Sequence, residues 1–211
     1  VTDFAGESVE ARPFTIDWDA SAAEKGGYDL FMLKEIAEQP KAVADTLLGR
    51  ITDDNRLVLD GLTISDTELR EIDKIVVAAC GTAYHAGLVA KYAIEHWTRI
   101  PVEVELASEF RYRDPILDRQ TLVVAISQSG GTMDTLMAVR HAREQGSRVL
   151  SICNTQGSTI PRESDAALYT YAGPEIAVAS TKAFLTQLVA TQLLGMYLGQ
   201  VRGNLFGDEI R

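Results

Sequence analysis

A parallel β-sheet covered by helices on both faces is the fold class this sequence predicts, and three observations predict it. Apolar runs of strand length recur at Ile75–Ala79, Leu122–Ile126 and within Ser147–Cys153. Strands buried on both faces read this way, because neither side meets water. Helix-period segments alternate with those runs, the pattern of strand–helix–strand units. Each run also ends abruptly in polar residues: Cys80 to Thr82, Ser127 to Thr132 and Asn154 to Thr159. In open α/β sheets the ligand crevice lies outside the carboxyl ends of the strands, where strand order reverses. Those three exits are the first candidates for a site.

The elements follow in order. Residues 1–27 are polar and mixed, without a sustained period, and read as a linker or the end of an upstream domain. Within them Phe4, Phe14, Ile16 and Trp18 are apolar enough to dock on a folded body. Residues 28–70 read as an N-terminal helical segment. Leu30, Leu33, Ile36, Val43, Leu47 and Leu48 predict a helix over Tyr28–Leu48, restarted or kinked at Pro40. Gly49 ends it, Arg56–Leu62 is a transition, and Ser65 with Glu68 has capping-box spacing.

Residues 71–211 hold the main domain. After the strand at Ile75–Ala79 comes a helix over Ala83–Trp97. Over Ile100–Leu106, Val102 and Val104 alternate with Glu103 and Glu105, the period of a half-exposed strand. Glu109 to Asp114 reads either as an aromatic, charged hinge against a neighbouring subunit or as a surface ion-pair cluster. Beyond Pro115 lie the strand 121–126, a helix over 132–145 and Gly146 as its punctuation. A strand over Ser147–Cys153 and a short one over Ala166–Thr170 follow, the acidic Glu163 and Asp165 between them reading as a solvated turn. Ala177–Leu198, almost uncharged after Lys182, predicts a long helix that is deeply buried or packed in an interface.

Composition bounds the function. The 211 residues, 46% hydrophobic and 24% charged, suffice for one real core. A net charge of −10 argues against a broad nucleic-acid or anionic-membrane surface, though backbone amides and hydroxyls can still build a local phosphate pocket. The two cysteines, Cys80 and Cys153, each follow a strand and read as buried thiols. Three histidines (His85, His96, His141) show no ligand spacing, so no structural zinc site is expected. His85 and His141 read as surface or packing residues. No signal peptide or long apolar span is evident, so the expectation is a soluble cytoplasmic chain. It starts at Val1, which suggests processing or a cut from something larger.

The chemistry concentrates at the middle exit. A strand, a Gly-containing turn and a helix start together make an anion site, because the first amides of the helix lack partners and its dipole favours negative charge. Ser127, Gln128, Ser129 and Thr132 add neutral donors without a competing carboxylate. That suits the phosphate ester of a small molecule better than a nucleotide, since neither nucleotide-binding glycine motif is present. The competing reading is that Ser and Gly are simply turn residues. At Gly81 and Thr82 a close backbone approach and a hydroxyl can hold a substrate oxygen, or the pair is a strand exit with a Thr cap. The loop 173–182 is placed to close over the exits. In it Ser180, Thr181 and Lys182 read as a solvated first turn or as ligand contacts; Lys182, disfavoured at a helix N-terminus, suggests a ligand or a partner. No Ser-His-Asp or paired-carboxylate catalyst emerges.

Several segments together resemble one family. They are Phe-Met-Leu-Lys-Glu-Ile-Ala-Glu-Gln-Pro (31–40), Cys-Gly-Thr-Ala-Tyr-His-Ala (80–86) and Ala-Ser-Glu-Phe-Arg-Tyr-Arg (107–113). Ser-Gln-Ser-Gly-Gly-Thr-Met-Asp-Thr (127–135), Arg-Glu-Ser-Asp (162–165) and Glu-Ile-Ala-Val-Ala-Ser-Thr-Lys-Ala-Phe (175–184) complete the set. They resemble the glutamine–fructose-6-phosphate aminotransferases (glucosamine-6-phosphate synthases), specifically the first sugar isomerase (SIS) domain of the synthase half. The resemblance covers nearly the whole chain and implies a three-layer α/β/α sandwich with a five-stranded parallel sheet. It implies that Ser127, Gln128, Ser129 and Thr132 bind the phosphate of a hexose 6-phosphate. Gly81 and Thr82 would contact the sugar, and Val178 and Ser180 would touch it from the other side. It also implies a homodimer through the synthase half, with the helix over 177–198 as a surface that dimer covers, and it implies no metal and no organic cofactor.

Two departures stand out. Gly131 replaces the acid usual in the family's loop, which predicts a more mobile loop with phosphate binding retained; Ala83 replaces a common serine. The family's ring-opening and isomerising groups belong largely to a second SIS domain and a C-terminal tail, and its glutaminase nucleophile to an N-terminal domain. None has a counterpart in these residues, so no catalytic residue is assigned and the chain alone is expected to be inactive. A sugar-phosphate-sensing module without chemistry and a purely structural dimerisation domain are the alternatives.

Overall fold

The computed structural model describes residues 2–10 and 20–210. Phe14, Ile16 and Trp18 lie outside them, and Phe4, expected to dock, is fully exposed. A 3-10 turn at Ala20–Ala23 leads to α1 (Phe31–Ala37), α2 (Gln39–Leu47) and α3 (Asp66–Glu71). Then strands and helices alternate: β1 (Lys74–Ala79), α4 (Thr82–Thr98), β2 (Val102–Leu106), α5 (Ala107–Phe110), β3 (Thr121–Ser127) and α6 (Met133–Glu144). The chain closes with β4 (Arg148–Cys153), α7 (Thr159–Glu163), β5 (Ala166–Tyr169), α8 (Lys182–Val201) and α9 (Gly207–Ile210).

The five strands form one sheet in the order β2-β1-β3-β4-β5, every pair parallel. Alternate residues of each strand feed opposite faces, so two cores form. Ile75, Val77, Leu122, Val124, Leu150 and Ile152 pack with α4 and α8. Val76, Ala78, Val123, Ala125 and Val149 pack with α5, α6 and α7. This is the three-layer α/β/α sandwich expected. The central β3 is buried along its whole length, whereas β2, at one edge, is only partly covered, which explains its alternating pattern. The Ser65 capping box is present: Glu68 N–H donates to Ser65 Oγ at 3.3 Å, and Ser65 N–H to Glu68 Oε2 at 3.1 Å.

Three expectations are corrected. Helix α8 starts at Lys182, not Ala177, because the carboxylate of Glu175 accepts from Thr181 N–H (2.8 Å) and Ala183 N–H (3.1 Å) and fixes the first turn there. One face of α8 is buried as deeply as expected, with Ala183, Thr186, Ala190, Leu193, Leu194 and Leu198 inside the chain. In α1 and α2 the inward face is the polar one. Lys34, Glu35 and Thr46 are buried, while Leu30, Leu33, Ile36, Leu47 and Leu48 are exposed. The physical reason is that this arm is held by hydrogen bonds, described below. Finally, Glu163 and Asp165 are not a solvated turn. Arg140 takes Glu163 in a bidentate pair at 2.6 and 2.7 Å, and Asp165 accepts from Val149 N–H at 2.8 Å.

Candidate functional site

Strand order decides where a site can be. β1 and β3 are neighbours, but the helix after β1 packs on one face of the sheet and the helix after β3 on the other. The two exits therefore diverge and leave a crevice, the switch point of a doubly wound fold. A cavity of about 310 Å³ opens there. Eight of the residues singled out from the sequence line it: Gly81 and Thr82 on one wall, Ser127, Gln128, Ser129 and Thr132 on another, Val178 and Ser180 at its mouth.

The turn after β3 is tied by its own hydroxyls. Gly130 N–H donates to Ser127 Oγ at 3.1 Å, Ser127 Oγ lies 3.2 Å from Thr132 Oγ1, and Gly131 N–H donates to Ser129 Oγ at 3.3 Å. Gly130 has φ +64°, a conformation costly for other residues, and this swings the chain into α6. Thr132 takes the N-cap position of α6 without a side-chain capping bond. The first amides of this helix thus have no capping side chain, and the neutral donors surround them. Gly131 has no such constraint: its φ is not positive, and a β-carbon there would meet only Ser129 Oγ, at 4.0 Å.

The third polar exit does not line the cavity. Instead it braces both walls. Asn154 and Thr155 N–H donate to the Gln128 carbonyl (3.1 and 3.3 Å), and Ile160 N–H to the Gly130 carbonyl (2.8 Å). The Asn154 side chain accepts from Ala172 N–H at 2.8 Å and donates to the Gly173 carbonyl at 2.7 Å. It thereby fixes the start of the opposite loop.

That loop, 173–181, carries Val178 and Ser180. The Val178 side chain is fully exposed, while Ser180 is half-buried and donates to Glu175 Oε2 at 3.0 Å. Glu175 also lines the cavity, as do Thr135 and Gln187, whose Thr135 Oγ1 and Gln187 Oε1 are buried without a hydrogen-bond partner. Sequence reading missed all three. Helix periodicity hides Thr135 and Gln187, and Glu175 sits in an irregular turn. Lys182, read as a ligand or partner contact, is 2% exposed, and its Nζ donates to Glu38 Oε2 at 2.7 Å. Its partner is internal.

The remaining candidates stay outside the cavity. His85 is exposed beside Tyr84, and His141 packs edge-on against the buried Phe110, ring centroids 6.1 Å apart. In the 109–114 stretch Arg113 pairs with Glu105 and approaches Glu103 at 3.7 Å, which is the ion-pair reading. Cys153 is wholly buried, and burial pushes its thiol up to about 12; Cys80 is half-buried at the cavity wall. Among the described residues no group of His, Cys, Asp or Glu is arranged to hold a metal ion. No described helix is long and apolar enough to cross a membrane.

Fold and cavity together define a class: a doubly wound α/β domain with a hydroxyl-lined helix start at its switch point. The chain belongs to the SIS domain family, which matches residues 68–197. It is 76% identical over 210 residues to a glutamine–fructose-6-phosphate aminotransferase (isomerizing) of Streptomyces coelicolor, covering 100% of this chain and 34% of that protein. A protein of the same description from Corynebacterium diphtheriae is 69% identical over 210 residues, with the same coverage, 100% and 34%. The chain thus spans 34% of the length of these curated relatives. Among solved structures, the C-terminal domain of glucosamine-fructose-6-phosphate aminotransferase from Francisella tularensis superposes with a TM-score of 0.83 at 44% identity. That match covers 89% of this chain and 53% of the other.

Proposed function

We propose that this chain is the sugar-phosphate-binding SIS domain of an enzyme making glucosamine 6-phosphate and glutamate from fructose 6-phosphate and glutamine. The observation that carries the reading is the convergence of Ser127, Ser129 and Thr132 on the uncapped start of α6. A phosphate ester there meets amides and hydroxyls with no carboxylate in the same loop, so an acidic chain can hold a dianion. Gln128 joins that wall, Gly81 and Thr82 face the sugar, and the Val178–Ser180 loop bounds its far side. The high identity to aminotransferases supports this assignment, and so does the likeness of the Francisella tularensis domain.

On this reading the chain's own residues bind and orient, and no catalytic residue is assigned among them. Turnover belongs to the whole enzyme, whose glutaminase and second SIS domains are the partners this reading requires. A homodimer through the synthase half belongs to the same reading. The exposed apolar side chains of the arm, Leu30, Leu33, Ile36 and Leu48, supply surface for such partners. A cytoplasmic location fits this chemistry.

Calorimetric titration with fructose 6-phosphate, fructose as control, tests the proposal. Saturable binding of the ester alone, lost in a Ser129→Ala/Thr132→Ala double variant, is the expected result. Absence of binding to either ligand overturns it.

A further inference from the structure

The loop that bounds the far side of the cavity has little packing of its own: Ile176, Val178 and Ala179 are exposed. Beyond the Asn154 contact at its start, two anchors hold it. From within, Glu175 collects Ser180, Thr181 and Ala183. From outside, Glu35 of α1 reaches across, 141 residues away in sequence. Its Oε1 accepts from Ile176 N–H at 2.6 Å and from Ala177 N–H at 3.1 Å. The next turn of the arm adds the Lys182–Glu38 pair at 2.7 Å, with Lys34 3.4 Å from Glu38. Further along, Thr46 Oγ1 donates to the Thr170 carbonyl, and Arg50 Nη2 to the Tyr169 carbonyl at 3.2 Å. The arm thus grips the chain from the end of β5 to the start of α8.

Glu35 is an odd residue to keep for stability alone. It is 2% exposed, and its second oxygen is buried without a hydrogen-bond partner. A buried carboxylate satisfied on only one oxygen is costly. What it does achieve is geometric. Two consecutive amides are fixed by one atom, immediately before Val178 and two residues before Ala179, where the loop meets the cavity.

We propose that Glu35 is a positioning residue for the sugar side of the cavity, setting the height of the Val178–Ser180 loop over a bound hexose phosphate. The inference rests on the proposed sugar-phosphate reading and deepens it. The phosphate side is built from β3, α6 and the 154–160 exit, none of which Glu35 touches, and it meets the sugar-side loop at that loop's start, through Asn154. Loss of Glu35 therefore separates the two halves of recognition.

The test uses this 211-residue chain, with fructose 6-phosphate and inorganic phosphate as probes, each titrated by NMR. In Glu35→Ala the affinity for fructose 6-phosphate falls about tenfold while that for inorganic phosphate changes less than about twofold. Glu35→Gln, which keeps an acceptor oxygen, restores most of the loss. Amide exchange at Ile176 and Ala177 accelerates in Glu35→Ala and returns toward wild type in Glu35→Gln. If Glu35→Ala does not fold, Glu35→Gln still reports through the exchange at those two amides, and unprotected amides there overturn the proposal. An equal fall for both probes, or no change for either, also overturns it. A wild-type chain that binds neither probe sinks the site reading, and this inference with it.

Discussion

Gly130 is pressed against Ser158: a β-carbon added to the glycine would overlap the Ser158 hydroxyl and come within 3.3 Å of Pro161 Cδ. The loop is therefore locked from behind by the 154–160 segment, with the Ile160 amide bonded to the Gly130 carbonyl at 2.8 Å. Its neighbour Gly131 faces open space. Gly130→Ala should cost about 1–3 kcal/mol, from a positive φ and a forced shift of Ser158. Gly131→Ala should instead add about 0.4–1 kcal/mol by restricting the unfolded chain. Urea denaturation of the two variants checks the opposite signs. It also bears on the mobility expected of Gly131, because a loop tied by three internal bonds has little freedom to gain.

The two thiols should separate cleanly. Burial holds the Cys153 thiol at about 12, so it stays protonated and unreachable at neutral pH. Cys80 lies half-buried in the cavity wall. Iodoacetamide is expected to label Cys80 in the native protein and Cys153 only in denaturant, with fructose 6-phosphate slowing the first reaction. Mass spectrometry of digested samples reads both sites. Labelling of native Cys153 at a comparable rate would contradict the burial described.

The Lys182–Glu38 pair makes a pH prediction. Burial pushes the Glu38 carboxyl up, but the hydrogen bond and charge of Lys182, joined by Lys34, outweigh it and hold the group below 4.5. With the native value lowered, the unfolded chain takes up the proton first as the pH falls. The contribution is complete above about 4.5 and disappears as the pH drops through the native value. Glu38→Gln should therefore be less stable than wild type at neutral pH, and the gap should narrow in acid. Lys182→Met should cost about 1–3 kcal/mol, less than a fully buried pair, since Glu38 is 30% exposed and can still be hydrated. Thermal melts across the acid range measure both.

Another anchor holds the segment between α2 and α3. Gln200 of α8 donates from Nε2 to the Leu57 carbonyl (3.0 Å) and accepts from Leu57 N–H (2.8 Å), taking the place of a strand neighbour. Gln200→Ala leaves both backbone groups of a buried residue without those partners. A loss of roughly 2–4 kcal/mol is expected from chemical denaturation.

What the sequence made legible follows from range. β1 and β3 announced themselves because unbroken apolar runs are a local signal of two-sided burial, and the Ser/Gly turn after β3 lies next to its own strand. Such signals also mark Gly81, Thr82, Ser127, Gln128, Ser129 and Thr132, while the family resemblance adds Val178 and Ser180; the fold brings all eight to one cavity. Long-range carboxylates left no local trace. Glu35 stands in an ordinary helical pattern, and only the fold reveals that its acceptors are wanted by amides 141 and 142 residues away. The start of α8 was misread for a related reason: Ala177 to Thr181 suit a helix locally, yet Glu175 sets the first turn later. In the arm, periodicity located the helices correctly but assigned the wrong face to the interior.

The contrast between the starts of α6 and α8 gives the cavity a direction. Both helix starts border the same space, but α8 already has its counter-ion there in Glu175, whereas at the start of α6 hydroxyls line the cavity and the first-turn acid, Asp134, does not. A molecule with one charged end is thus oriented before any of its hydroxyls is read, its anion drawn to one pole and repelled from the other. A molecule with an anion at both ends has no comfortable way to lie down.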